Sequence, residues 1–181
     1  MFHRSERLFL RPAWPEDWND ILAAIADEAI VRHLAAAPWP YRESHARAFV
    51  AKAQDPLYPN FLVTLPEAGS SKLVGMCGLV GQEEGAGVQL GYWIARPYWG
   101  NGFATEAARA VIEIARIIGH RHISAAHHVD NPASGKVLRR AGFLPTGRVA
   151  PTYCLARHED VDSVFYEYDL AADQLPSMRA A

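Results

Sequence analysis

Apolar residues recur along this chain with two spacings, and the changes from one to the other mark its elements. Leu8 and Leu10, flanked by Arg7 and Arg11, form an alternating stretch that stops at Pro12, which predicts a first strand with one buried face. Pro15 then opens a helix, where Glu16 and Asp17 suit the positive end of the dipole and Ile21, Leu22, Ile25 and Ala26 make an apolar face. Ala46, Phe49, Val50 and Ala53 repeat that spacing and predict a second helix near Glu43 to Ala53. Between the two, Pro38-Trp39-Pro40-Tyr41 is a turn with two large aromatics.

Phe61 to Leu65 and Lys72 to Val80 are β-rich runs separated by Pro66, Gly69 and two serines, an antiparallel hairpin. A turn from Gly81 to Gly87 holds Glu83 and Glu84. Val88 to Ala95 is a further strand, cut off by Arg96-Pro97, and a helix follows from about Gly102 to Ile118. Ala104, Ala107, Ala108, Val111, Ala115 and Ile118 share one face of it, opposite Glu106, Arg109, Glu113 and Arg116. His122 to Val129 is the next strand and runs into Asn131-Pro132, an N-cap with proline at the first helical position. That short helix ends at Gly142, a glycine cap whose next residue, Phe143, folds back onto Leu138. Tyr153 and the alternating Val164 to Tyr168 predict two closing strands. Strands mixed with four helices, including a strand-helix-strand unit, indicate an α/β or α+β fold around a mixed, mostly antiparallel sheet.

Length and charge narrow the function classes. A chain of 181 residues fits one domain, taken as 1–172 with a frayed tail over 173–181. Half the residues are hydrophobic and the net charge is -2, which argues against a nucleic-acid partner. Cys77 and Cys154 have no His/Cys cluster around them, so the reading is two reduced thiols with no metal site. No run is apolar for long enough to span a bilayer, and the expectation is a soluble cytoplasmic protein with no membrane partner.

The chemistry concentrates in Tyr98-Trp99-Gly100-Asn101-Gly102-Phe103-Ala104, where a strand ends and a helix begins. Glycines let the backbone turn tightly, and the first N–H groups of a helix face whatever anion lies in front of them; a pyrophosphate suits that place. Two glycines between a strand and a helix also describe a plain turn. The Walker-type phosphate loop is set aside because no Gly-Lys-Ser/Thr follows.

The surrounding motifs carry a resemblance. Leu90-Gly91-Tyr92-Trp93-Ile94, Arg96 to Ala107, Asn131-Pro132-Ala133-Ser134 and Ala141-Gly142-Phe143 together resemble the GNAT superfamily of acetyl-CoA-dependent N-acetyltransferases. They are most similar to its RimJ/RimL-type branch of ribosomal-protein alanine N-acetyltransferases, as is the opening Glu6 to Pro12. The resemblance implies a central sheet of about six to seven strands with helices on both faces. It also implies a splayed strand pair, Val88–Ala95 and His122–Val129, holding pantetheine. Acetyl-CoA is then the cofactor. Its pyrophosphate falls to the backbone of Trp99, Gly100, Asn101, Gly102, Phe103, Ala104 and Thr105, and Tyr92, Ile94, Asn131 and Ser134 lie along the rest. The family's phosphate loop begins with Arg or Gln, where this chain has Trp99, which puts one side-chain contact in doubt.

Acetyl transfer needs a neutral amine, donors for developing negative charge and a proton for the departing thiolate. Amines of reference pKa about 10.4 (lysine) and about 8 (α-amine) must first lose a proton. The tyrosine that many family members place four residues before the Gly-Phe is Leu138 here. Ser134 is the candidate acid, with helix-end hydrogen bonding as its other reading. Gly135 costs its helix about 1 kcal/mol against alanine, a sign that something approaches closely there. For the base, Gln89 stands where some relatives carry glutamate, which leaves Glu83, Glu84, His127, His128 or water. The family places the Trp39-Pro40-Tyr41 turn over the acceptor entrance, although packing explains those aromatics equally. The acceptor is a small-molecule amine or a protein N-terminus, and a homodimer is open. A non-catalytic acyl-CoA sensor and an unrelated nucleotide-phosphate binder are the rival readings.

Overall fold

The computed structural model describes residues 1–82 and 87–171; Glu83, Glu84 and the 173–181 tail lie outside them. Strands β1 (His3–Arg4), β2 (Phe9–Arg11), β3 (Asn60–Glu67), β4 (Ser70–Gly81), β5 (Val88–Ile94), β6 (His122–His128), β7 (Leu144–Cys154) and β8 (Glu159–Asp169) form one sheet. Its order is β1-β2-β3-β4-β5-β6-β8-β7, and every adjacent pair is antiparallel except β5 with β6.

Among the described residues five α-helices accompany it: α1 (Trp18–Ile25), α2 (Glu28–Val31), α3 (Glu43–Ala51), α4 (Phe103–Ile117) and α5 (Pro132–Ala141). Alternation along each strand sorts the core into two clusters. Leu62 and Trp93 pack with Ile21, Ile25, Ile30 and Val31 of α1 and α2. Phe61, Val63, Leu90 and Ile94 pack with Ala107, Val111 and Ala115 of α4 and Leu138 of α5. Helices therefore cover both faces, as the resemblance implied.

Eight strands stand where six or seven were expected. The surplus includes β1, a two-residue strand paired His3↔Leu10 and Arg4↔Phe9, too short to show a period. Helix α2 was also missed. It is a single turn, capped where the Asp27 side chain accepts from Ala29 N at 2.9 Å, and it exists to bury Ile30 and Val31. The first predicted helix begins as a 3-10 turn over Pro15–Asp17, and Ala26 lies past its end, exposed.

Asp17 anchors that turn: its carboxylate accepts two hydrogen bonds of 2.7 Å from the Arg11 guanidinium and one of 2.6 Å from Trp14 N. Both reduced cysteines are buried, and among the described residues no helix is long and apolar enough to cross a membrane.

Candidate active site

The site grows from the end of β5. Pro97 stops the strand, a 3-10 turn spans Arg96–Tyr98, and Gly100 and Gly102 then adopt left-handed φ values of 78° and 79°. A side chain is strained in that region, so glycine is what lets the chain reverse into α4. The first i→i−4 bond of α4 runs from Glu106 N to Gly102 O at 3.1 Å. The N–H groups of Phe103, Ala104 and Thr105 therefore have no partner within the helix and face outward at its positive end. Space in front of them is open: a Cβ on Gly100 would meet nothing within 4 Å, and one on Gly102 only Arg7 Nη2 at 3.6 Å.

Side chains of the turn are spent on holding it. Trp99 Nε1–H donates to the Ile94 carbonyl at 2.6 Å, and Asn101 Nδ2 donates to the carbonyls of Tyr98 and Trp99 at 3.2 and 3.1 Å. Backbone N–H groups are thus the donors the turn keeps unspent. A cation arrives instead from the N-terminal arm. Arg7 lies 4.7 Å over the Phe103 ring, donates to the Asn101 carbonyl at 3.1 Å and pairs with Glu106 at 2.8 Å. Burial pushes the Glu106 carboxyl up, but hydrogen bonds from Arg7 N and Ser5 Oγ and the Arg7 charge hold it below the usual range.

Among the described residues the one parallel pairing joins Gln89 and Ser124, whereas β4 and β5 pair continuously from Gly75↔Ile94 to Gly81↔Val88. Ser124 Oγ donates to the Val88 carbonyl at 3.1 Å and closes that end. Beyond it β5 and β6 part, which is the splayed pair expected. Ile94 packs into the core beside α4, 8 % exposed. Tyr92 crosses the gap between the two strands: the phenol oxygen lies 2.6 Å from Ser134 Oγ and 3.2 Å from the Ser134 carbonyl.

Asn131 is the N-cap of α5. Its Oδ1 and its carbonyl accept from Ser134 N at 3.2 and 3.1 Å. The Ser134 hydroxyl is thus released from capping, and its partner is on another element. Gly135 answers the close approach suspected there: a Cβ would lie 2.5 Å from His127 Nε2 and 3.1 Å from Tyr166 Oη.

Those neighbours engage both nitrogens of His127. Its Nδ1 donates to the His128 carbonyl, which only accepts, at 2.8 Å, and its Nε2 lies 3.3 Å from Tyr166 Oη. Arg139 in turn donates to Tyr166 Oη at 2.8 Å. With both ring nitrogens hydrogen-bonded inside the fold, His127 is a poor candidate base. His128 points to the other face and is 5 % exposed, with no hydrogen-bond partner for Nδ1 among the described residues. Burial, then the Arg157 charge, hold its imidazole below the usual pKa.

His33, His128 and Asp130 place ligand-type atoms within 4.8 Å of one another. Arg157 already fills that cluster, with Nη2 3.3 Å from His33 Nδ1 and 2.9 Å from Asp130 Oδ2. A resident guanidinium supplies the positive charge a metal would bring. Sequence reading singled out His128 alone, because the members of this cluster are scattered from residue 33 to residue 157. At the proposed acceptor entrance, Trp39 and Tyr41 pack against the α1–α3 cluster.

Comparisons agree with this geometry. The curated relative p20 of Bacillus licheniformis, named an uncharacterized N-acetyltransferase, is 27 % identical over 150 residues, 79 % of this chain and 82 % of its own. A GNAT-family acetyltransferase from Bacillus anthracis superposes with a TM-score of 0.78 at 24 % identity, covering 94 % of this chain and 99 % of its own. The RimL ribosomal α-N-protein acetyltransferase, solved with coenzyme A, gives 0.78 at 19 % identity over 96 % and 100 %. The microcin C7 self-immunity acetyltransferase MccE, solved with acetyl-CoA and AMP, gives 0.75 at 17 % identity over 91 % and 93 %. A family model described as an acetyltransferase (GNAT) domain matches residues 7–144, most of the sheet and the whole of the turn, and the chain belongs to that acetyl-CoA-using family.

Proposed function

We propose that this chain is an N-acetyltransferase that moves the acetyl group of acetyl-CoA to a primary amine, of a small molecule or a protein N-terminus, by direct attack in a ternary complex. One observation carries the reading: an open, glycine-built anion turn at the N-terminus of α4 stands at the mouth of a strand gap into which Ser134 projects. The turn's N–H groups fit a pyrophosphate, and the gap fits the linear arm that follows it. The bound cofactor supplies an activated thioester.

The chain's own groups do the rest. Phe103, Ala104 and Thr105 hold phosphate oxygens through their backbone, with Arg7 adding positive charge beside them. Ser134 Oγ holds the proton for the departing sulfur. With His127 committed to Tyr166, water is the better carrier for the proton the amine must lose.

The test is release of free thiol from acetyl-CoA across a panel of amines that includes polyamines, amino acids and peptides with free N-termini. Amine-dependent release above the hydrolysis background supports the proposal. Tight acetyl-CoA binding with no release for any amine favours a sensor, and stabilisation by ATP but not by coenzyme A removes the cofactor assignment itself.

A further inference from the structure

The Tyr92–Ser134 contact has an internal logic that capping or packing does not require. Asn131 already satisfies Ser134 N, so the serine hydroxyl has no duty at the helix end. Yet Tyr92, from β5, spans the strand gap to lie 2.6 Å from that hydroxyl, a short bond between two half-buried groups. Two acceptors face the single phenol proton, Ser134 Oγ at 2.6 Å and the Ser134 carbonyl at 3.2 Å; the phenol, with an ordinary pKa of about 10, is the stronger donor of the two hydroxyls, which assigns its proton to the nearer oxygen.

We propose that Tyr92 is the positioning residue of the transfer step: its phenol donates to Ser134 Oγ across the gap, which turns the Ser134 proton toward the departing sulfur. The inference rests on the acetyltransferase reading above. As the carbon–sulfur bond breaks and the carbon–nitrogen bond forms, Ser134 gives its proton to sulfur. The Tyr92 hydrogen bond stabilises the oxygen left behind, and the proton lost by the amine returns through water to Ser134. One proton leaves nitrogen and one arrives at sulfur, so the balance closes. Burial, opposed by the Ser134 bond, raises the phenol's pKa well above its ordinary value, with Cys77 on β4 and Tyr166 on β8 as the titratable neighbours. Tyr92 therefore stays a donor throughout the neutral range.

The experiment compares Tyr92→Phe, Ser134→Ala and the double variant by two readouts. In calorimetric titration, both single variants should weaken binding of coenzyme A several-fold while leaving desulfo-coenzyme A, which lacks the thiol, at the parent affinity. In turnover, Tyr92→Phe should lower kcat about 10- to 100-fold with KM for acetyl-CoA within a few-fold, and the double variant should be no slower than Ser134→Ala. If Tyr92→Phe does not fold, 3,5-difluorotyrosine at position 92 keeps the shape. Its more acidic phenol should bring the alkaline fall of kcat to lower pH. Equal losses for both ligands, independent multiplication of the two single effects, or an unmoved alkaline limb would overturn the proposal. If the parent turns over no amine, the acetyltransferase reading fails, while the thiol-specific binding difference still decides whether the pair meets the sulfur.

Discussion

Replacing Gly102 separates ligand binding from backbone strain. Its φ of 79° lies in the left-handed region, where a residue with a Cβ pays about 1–2 kcal/mol, and asparagine is among the few that visit it routinely. The Cβ itself would meet only Arg7 Nη2 at 3.6 Å, an ordinary contact, so Gly102→Asn should fold with a modest loss. At about 2–4 °C per kcal/mol for a chain of this size, that loss is a few degrees in Tm. On the proposed function, its side chain stands where the pyrophosphate binds. Acetyl-CoA at a hundred times its Kd stabilises the parent by about 2.7 kcal/mol, roughly 5–10 °C. A hundredfold weaker variant keeps only RT ln 2, about 0.4 kcal/mol or roughly 1 °C. The control is Gly69→Asn, in the β3–β4 turn, which has the same φ of 79° and nothing within 4 Å of its Cβ. Thermal unfolding with and without acetyl-CoA should show the ligand shift intact in Gly69→Asn and nearly gone in Gly102→Asn. Equal shifts in the two variants would refute the placement of the pyrophosphate.

Gly135→Ala gains about 1 kcal/mol of helix propensity but drives a methyl to 2.5 Å from His127 Nε2, an overpacking that costs about 1–3 kcal/mol. Urea unfolding should show net destabilisation that becomes stabilisation in a His127→Ala background; a stabilised single variant contradicts the close approach. At Asp17, burial raises the carboxyl pKa but the Arg11 and Trp14 hydrogen bonds outweigh it, so the folded value lies below 3.8. A depressed carboxyl contributes stability that is present above 3.8 and lost as pH falls through the folded value. Asp17→Asn, which leaves Arg11 without its charge partner, should cost about 3–5 kcal/mol at pH 7, with the gap to the parent closing below about pH 4. A gap of constant size across that range rules out the linkage.

Local signals were legible and distant ones were not. Arg96-Pro97, Gly100 and Gly102 act on their own backbone, so the strand, turn and helix around them were readable within a residue or two. The same holds for the Asn131 cap and for Gly142, whose φ of 106° ends α5 while Phe143 N bonds the Leu138 carbonyl. Strand β7 was seen only near Tyr153 because as an edge strand it is exposed at most positions and carries Pro145 and Pro151, which erases its period. Contacts across the chain left no trace in spacing. Arg7 meets Glu106 and Tyr92 meets Ser134 only because the sheet brings them together, and the His127–Tyr166–Arg139 chain is invisible until β6, β8 and α5 stack. Gly135 was the exception, since a glycine inside a helix signals a neighbour even when the neighbour is unknown.

The most direct test of the cofactor site is a crystal structure after soaking with coenzyme A. The account predicts pyrophosphate oxygens within about 3 Å of the N–H groups of Phe103, Ala104 or Thr105, and the pantetheine arm between β5 and β6 with its sulfur beside Ser134 Oγ. Density for the ligand at any other surface, or an arm that bypasses the gap between Tyr92 and Ser134, would contradict it.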